Sequence, residues 1–217
     1  MDDPAREWRH EARALADALA SEGVDPRVAD AIAGVPRHLF VPADLRDRAY
    51  EDAAFAIGCE QTISQPFVVA SMTEYLSVEP GDRILEVGTG SGYQTAVLCE
   101  LGAEVYSIEI IEPLSHLAAA ALRAAGYVAS LRVADGADGW PEAAPFDGIV
   151  VTAAAHRVPA PLMDQLAVSA SLVIPLESGP RAQWIWRITR RAHHEPRREK
   201  LLAVRFVPLT GRSRDEG

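Results

Sequence analysis

Of the 217 residues only one, Lys200, is a lysine, and only Cys59 and Cys99 are cysteines. The 20 arginines that stand where lysines are missing, together with many alanines, read as a base-composition bias of the source genome, a reading that carries no function. Two cysteines are too few for a disulfide framework and fit a reducing compartment, so a cytoplasmic location is expected. Positive charge is also short: 21 Lys+Arg against 31 Asp+Glu leave a formal net charge of -10. That balance argues against a nucleic-acid partner, because a phosphate backbone needs a clustered basic face. The one basic stretch, 187–200, is diluted by His193, His194, Glu195 and Glu199 and reads as a solvated hairpin or loop. The N-terminal 20 residues lack an apolar core and read as a charged amphipathic helix, so neither signal peptide nor membrane anchor is expected. His38, His116 and His156 share no metal-ligand spacing with one another or with the cysteines, so no metal is expected.

What is present is enough for one domain: 217 residues with 48% apolar content can bury a sizeable core. Two helices are expected at 7–22 and 26–34, separated by Gly23 as a stop and by Asp25-Pro26 as cap and first-turn proline. Residues 36–66 are turn-rich and irregular yet apolar, which in a compact enzyme points to a functional segment. A helix follows to about Leu76. From Arg83 the chain alternates short β-branched strands (ILEV, VYSIE, SLRVA, GIVVTAA, SLVIPL) with helical segments, the pattern of a parallel sheet with helices on both faces. Residues 184–188 and 201–207 read as an antiparallel pair extending that sheet at its far edge.

Residues 84–92 read ILEVGTGSG, an apolar strand ending in Glu86 and a glycine-rich turn that opens a helix. Gly88, Gly90 and Gly92 let the backbone turn sharply and approach a ligand. The tight GTGSG is not the spaced GxGxxG that cradles a pyrophosphate; with Glu86 before it, it suits a ligand with no phosphate and a cationic centre, such as S-adenosylmethionine. Ligands of such sheets bind beyond the carboxyl ends of the strands. Glu109 ends the second strand about 20 residues on, where a carboxylate can accept both ribose hydroxyls. Asp135-Gly136 follows the third, where a carboxylate can take the adenine amino group while glycine clears space for the ring. Taken singly each has a plainer reading: Glu86 a helix-dipole partner, Glu109 a solvated strand-end charge, Asp135-Gly136 a simple turn. Their order along consecutive strand ends favours the shared pocket.

The chemistry is indicated by Gln61-Thr62-Ile63-Ser64-Gln65-Pro66, with VPRHLFVP (35–42), LEVGTGSGYQTAVL (85–98), PFDGIVVTAA (145–154) and VRFVPLTG (204–211). Through these motifs nearly the whole chain strongly resembles protein-L-isoaspartate O-methyltransferases. The resemblance implies an α/β fold: a doubly wound, Rossmann-like class I methyltransferase sheet with an N-terminal helical lid and a C-terminal antiparallel strand pair. It implies a single domain, 1–217, with the helical lid and QTIS loop in 1–80, the cofactor-binding core in 81–180, and C-terminal strands and tail in 181–217. The implied reaction moves a methyl group from S-adenosylmethionine to the α-carboxylate of an L-isoaspartyl residue in a damaged protein or peptide, leaving S-adenosylhomocysteine. Ser64 is implied as the substrate-orienting active-site residue; its plainer reading is a helix N-cap ahead of Pro66. Thr62, Ile63, Ser64, Gly88, Gly90, Ser91, Glu109, Ile110, Asp135, Gly136 and Thr210 are implied in the cofactor pocket, with Glu86 beside them. Partners are isoaspartyl-containing proteins or peptides, with no nucleic acid and no membrane, and a monomer is expected.

Two positions depart from the family pattern. Glu60 stands where glycine is common and Ala56 where proline is frequent. Glu60 would weaken binding of a carboxylate substrate unless it points outward, and Cys59 reads as a small packing residue. The alternative within the enzyme class is a biosynthetic methyltransferase that esterifies an aspartate of one dedicated peptide to form an aspartimide. Outside it stands a cofactor-binding regulator without catalysis, which the contribution of Ser64 to turnover would distinguish.

Overall fold

A computed structural model describes residues 4–179 and 182–211; the polar tail 212–217 lies outside them. Helix α1 (Pro4–Ser21) begins three residues earlier than expected, and α2 (Pro26–Gly34) has the expected bounds. Gly23, at φ +99°, makes the left-handed turn between them, and the Asp25 carboxylate accepts from Arg27 N at 2.8 Å. The irregular segment holds two 3-10 turns, Arg37–Leu39 and Ala43–Arg48, then a hairpin of β1 (Phe55–Gly58) and β2 (Gln61–Ile63). Helix α3 (Pro66–Leu76) starts at a proline whose fixed φ suits a first turn. Gln65 is its N-cap but makes no side-chain capping bond. Asp52 does that work from a distance: one carboxylate oxygen accepts from Phe67 N (2.8 Å), the other from Gln65 Nε2 (2.7 Å).

The remaining strands form one sheet: β3 (Arg83–Val87), β4 (Glu104–Glu109), β5 (Ser130–Val133), β6 (Phe146–Val151), β7 (Leu166–Glu177), β8 (Gln183–Thr189) and β9 (Arg197–Val204). Helices α4 (Tyr93–Glu100), α5 (Glu112–Ala125) and the short α6 (Ala160–Gln165) connect them. The order is β5-β4-β3-β6-β7-β8-β9, parallel from β5 through β7 and antiparallel beyond. The chain moves outward from β3 to β5 and then returns to lay β6 on the other side of β3. This doubly wound reversal opens a crevice at the carboxyl ends of β3 and β6. Strand alternation puts Ile84 and Val150 on one face, in a core shared with α1 to α4, and Leu85, Val87, Ile149 and Val151 on the other.

Helices lie on both faces as expected, more thinly on the second, and the bounds of one strand need correction. The second face packs against Leu162 of α6, Trp140 and Leu209, and between β5 and β6 there are only 3-10 turns at Gly136–Asp138 and Pro141–Ala143. Pro141, Pro159 and Pro161, with Gly136 and Gly139, deny those segments a longer helix. The final strand starts at Arg197 and stops at Val204, so the basic stretch is the β8–β9 hairpin, with Arg187 paired to Glu199 at 2.9 Å. The ladder ends there because the Gln183 side chain takes the next backbone groups, accepting from Phe206 N at 2.6 Å. Residues 205–210 then return across the strand ends, where Ala154 N donates to Val207 O (2.8 Å) and Leu209 N to Ala154 O (2.7 Å).

Removing the remote cap of α3 tests how this segment is held. Asp52→Ala is expected to destabilise the protein by about 1 kcal/mol, read from urea unfolding at neutral pH, and an unchanged midpoint would contradict the capping role.

Candidate active site

The glycine turn sits at the crevice because two neighbouring strands hold it. Gly88 N donates to Ile108 O at 2.8 Å, and Gly90 N to Glu109 Oε2 at 2.8 Å, while the other Glu109 oxygen accepts from Ile111 N at 2.9 Å. Glu109 is therefore a buried clamp, not a solvated strand-end charge; it is 6% exposed. Gly88 has φ +98°, and a Cβ there would collide with Thr152 Oγ1, which donates to the Gly88 carbonyl. No side chain fits at that position.

Behind the turn lies Glu86, fully buried on the α4 face of β3. Its Oε2 accepts from Ser107 Oγ (2.7 Å) and from Thr95 Oγ1, and Ser107 in turn pairs with Thr89 Oγ1 at 2.6 Å. Its Oε1 is buried without a hydrogen-bond partner among the described residues. Burial pushes the carboxyl up to about 7; the hydroxyls of Thr95 and Ser107 oppose the rise, and the nearby Glu109 charge adds to it.

These groups line a cavity of about 850 Å³, open mouth included. Its floor is the glycine turn, with Glu86 and Tyr93 behind it; Glu109 and Ile110 form one side, Thr152 and the returning residues 207–210 the other, and 61–64 of the hairpin form the cover. Among the described residues it is lined by two carboxylates and by no arginine, lysine or histidine. A phosphate would find no cation among them; a cationic ligand finds acceptors, one of them the orphaned Glu86 Oε1. Beyond the cover lies a second groove between Ala54, Thr62, Ser64, Gln65 and Val68 on one side and residues 203–206 on the other. Thr62 and Ser64 line both spaces, so the Ser64 segment is the wall between them.

Eleven of the twelve expected cofactor-site residues therefore line one cavity: Thr62, Ile63, Ser64, Glu86, Gly88, Gly90, Ser91, Glu109, Ile110, Gly136 and Thr210. Asp135 does not line it. Its Oδ1 accepts from Ala137 N at 3.0 Å, and its carboxylate lies 2.6 Å from where a Cβ on Gly211 would stand. It holds the turn before Gly136 and faces the returning chain. Gly136 itself allows no side chain, because a Cβ would collide with Val87. No residue of α1 or α2 lines the cavity; α1 packs on α2, which contacts α3 and α4, and the cover is led by the β1–β2 hairpin, which brings Ile57 to the glycine turn. At the hairpin tip Cys59 and Glu60 both have left-handed backbone (φ 50° and 60°). Both are exposed, so Glu60 points outward and Cys59 is not a packing residue, since a two-residue tip has nothing to pack against.

Sequence reasoning missed Thr95 and Ser107, the two hydroxyls on Glu86, and Tyr93 and Thr152 in the wall. Thr152 had a readable signal, since it follows the fourth strand end in the series that includes Glu86 and Glu109. The other three depend on packing across the sheet and have none.

The sequence model of the family described as protein-L-isoaspartate(D-aspartate) O-methyltransferase matches residues 10–214. The protein-L-isoaspartate O-methyltransferase 2 of Nitrosococcus oceani is 52% identical over 195 residues, 89% of this chain and 89% of that one. The protein-L-isoaspartate O-methyltransferase of Salinibacter ruber is 48% identical over 223 residues, 98% of this chain and 96% of that one. A solved protein-L-isoaspartate O-methyltransferase structure superposes with a TM-score of 0.82 at 27% identity; the match covers 91% of this chain and 65% of the other, just under two thirds of its length.

The buried carboxyl gives a pH test. The unfolded chain loses this proton near 4.5, but the folded chain keeps it to about 7. As pH rises through that window the unfolded state binds fewer protons than the native one, so stability falls, by about 3 kcal/mol at 1.36 kcal/mol per pH unit. Glu86→Gln should lose this component of the slope when unfolding is followed in urea from pH 4.5 to 8. Parallel curves for wild type and variant would contradict it.

Proposed function

The chain belongs to the protein-L-isoaspartate(D-aspartate) O-methyltransferase family, and on that premise we propose that it transfers a methyl group from S-adenosylmethionine to the α-carboxylate of L-isoaspartyl residues in damaged proteins and peptides. The observation that carries this reading is the position of Ser64 in the wall between a cavity suited to a cationic, phosphate-free ligand and an open groove. The whole chain acts as one methyltransferase domain. No helix of the described residues is long and apolar enough to cross a membrane.

In the cavity Glu86 supplies acceptor capacity to the cationic end of the ligand. Glu109 has lone pairs left for ribose hydroxyls after its two backbone bonds. Gly88, Gly90, Ser91 and Ile110 border the same ligand from the turn and the β4 end, Gly136 leaves room for the adenine ring, and Thr62, Ile63 and Thr210 close over it. Asp135 takes part through the turn that presents Gly136. S-adenosylmethionine, when bound, supplies a methyl carbon made electrophilic by its sulfonium.

The substrate carboxylate enters from the groove. It is ionised at neutral pH, so it attacks without a general base, and the protein's task is alignment and exclusion of water. The Ser64 hydroxyl donates to one carboxylate oxygen and thereby aims the other at the cavity. A peptide lies extended along 203–206, held through its backbone, which suits acceptance of many sequences. The methyl ester carries methoxide, a better leaving group than the oxide a carboxylate would have to lose; the nitrogen of the following backbone amide attacks the ester carbonyl, methanol leaves with the amide proton, and a succinimide forms, whose hydrolysis returns part of the residue to aspartate. The names of the relatives support this repair role over esterification of a dedicated aspartyl peptide.

The test is transfer of labelled methyl to an isoaspartyl peptide and to its aspartyl twin. Base-labile label on the isoaspartyl peptide alone is expected, with turnover about 100-fold lower for Ser64→Ala. Equal labelling of both peptides, or unaffected turnover in the variant, would overturn the assignment.

A further inference from the structure

The VPRHLFVP motif contributes nothing to either cavity directly, yet it contains a fully buried arginine. Arg37 is 0% exposed, and its guanidinium donates from Nε to Ala49 O (2.9 Å) and from one terminal nitrogen to Ala53 O (3.1 Å) and Ser64 O (2.9 Å). Its other terminal nitrogen is buried with no hydrogen-bond partner among the described residues. The Cζ lies 4.4 Å from the ring centroid of Tyr93, which opens α4 and lines the cofactor cavity. An arginine kept for stability alone is ordinarily paired with a carboxylate, because an unpaired buried charge is costly. Here the hydrogen-bonded partners are three backbone carbonyls of the segment that leads into Ser64. The nearest acid, Asp52, spends both oxygens on Gln65 and Phe67.

The bond to Ser64 O has a directional consequence. In a trans peptide the carbonyl and the following N–H point to opposite sides. With the Ser64 carbonyl drawn inward to Arg37, the Gln65 N–H turns outward, on the side of the groove that Ser64 and Gln65 line. Donation by a cation also polarises that peptide and strengthens its N–H as a donor. From this geometry we infer that Arg37 is a positioning residue for methyl transfer: it locks the Ser64–Gln65 peptide plane against the Tyr93 ring, fixing the groups that receive the substrate carboxylate relative to the cofactor cavity. The inference rests on the role proposed above for Ser64.

A double-mutant cycle tests it. Arg37→Lys keeps the charge but cannot reach three carbonyls or stack as a plane. In the wild-type background it should lower kcat toward the isoaspartyl peptide about 100-fold, with the dissociation constant for S-adenosylhomocysteine unchanged within about 3-fold. In the Ser64→Ala background the same change should lower kcat by no more than about 10-fold, because one of the two groups it positions, the Ser64 hydroxyl, is already gone and only the Gln65 N–H remains. Losses that multiply, or a kcat loss matched by loss of S-adenosylhomocysteine binding, would make Arg37 a structural residue and overturn the inference. If Arg37→Lys does not fold, the Arg37 Nε–H resonance of unmutated arginine serves instead. It should shift when isoaspartyl peptide is added to the wild type and shift less when it is added to Ser64→Ala; a resonance that behaves identically in both would overturn the proposal. Failure of wild type to methylate the peptide at all would instead sink the functional reading on which the inference rests.

Discussion

The parallel pairing of β3 with β4 on one side and β6 on the other is the constraint from which the site follows. It ends three strands at one level, so that Ile108 O can take the Gly88 amide, Glu109 can take the Gly90 amide, and Thr152 can take the Gly88 carbonyl. A glycine turn free in solution would sample many conformations; here three neighbours hold it open toward the crevice. The same register carries Ser107 beside Glu86, so a carboxyl that would otherwise be stranded in the core has two hydroxyls on one oxygen. Its second oxygen stays unsatisfied in the cavity wall, the kind of buried imbalance that a ligand cation relieves.

The substrate side is built by a different device. The corner from Ser64 to Phe67 has little regular structure, and it is held from both sides: Arg37 grips the Ser64 carbonyl from the interior, and Asp52 grips Gln65 and Phe67 from the exterior. On the opposite wall the chain leaves the sheet edge at Val204 and crosses back over the strand ends, bonded through Ala154, which delivers 203–206 to the groove and Thr210 to the cavity. One segment of wall thus borders both spaces, an arrangement that suits a reaction needing three atoms in line and no water between them.

Much of this was readable in the sequence, for physical reasons. Strand β3 with its glycine turn announces itself because a short apolar run buried on both faces, an acid near its end and three close glycines satisfy one local requirement after another. Pro26 and Pro66 mark helix starts because their φ is fixed whatever the tertiary context. The cavity residues Glu86, Glu109 and Gly136 follow from the rule that ligands sit at strand ends. What was hidden depends on contacts between distant segments. Nothing local in the sequence tells that Asp135 would face Gly211, that Thr95 and Ser107 would share an oxygen of Glu86, or that Arg37 would reach Ser64 across 27 positions, whereas the bond from Ala137 to Asp135 is the local turn legible in Asp135-Gly136. The lid was misjudged for the same reason. Amphipathic helices 4–21 and 26–34 announce an apolar face but not what it covers; the first packs on the second, which packs on α3 and α4, while a four-residue strand and its partner cover the site.

The central claim is that this pocket selects a cationic, phosphate-free nucleoside ligand by carboxylates and a glycine turn. Calorimetric titration at neutral pH tests it most directly, with S-adenosylmethionine, S-adenosylhomocysteine and oxidised nicotinamide adenine dinucleotide added in turn to the protein. The account predicts saturable one-to-one binding of the first two and no heat from the dinucleotide, whose pyrophosphate would face Glu86 and Glu109 with no basic side chain among the described residues of the cavity wall. Binding of the dinucleotide, or silence with both sulfur nucleosides, would contradict it.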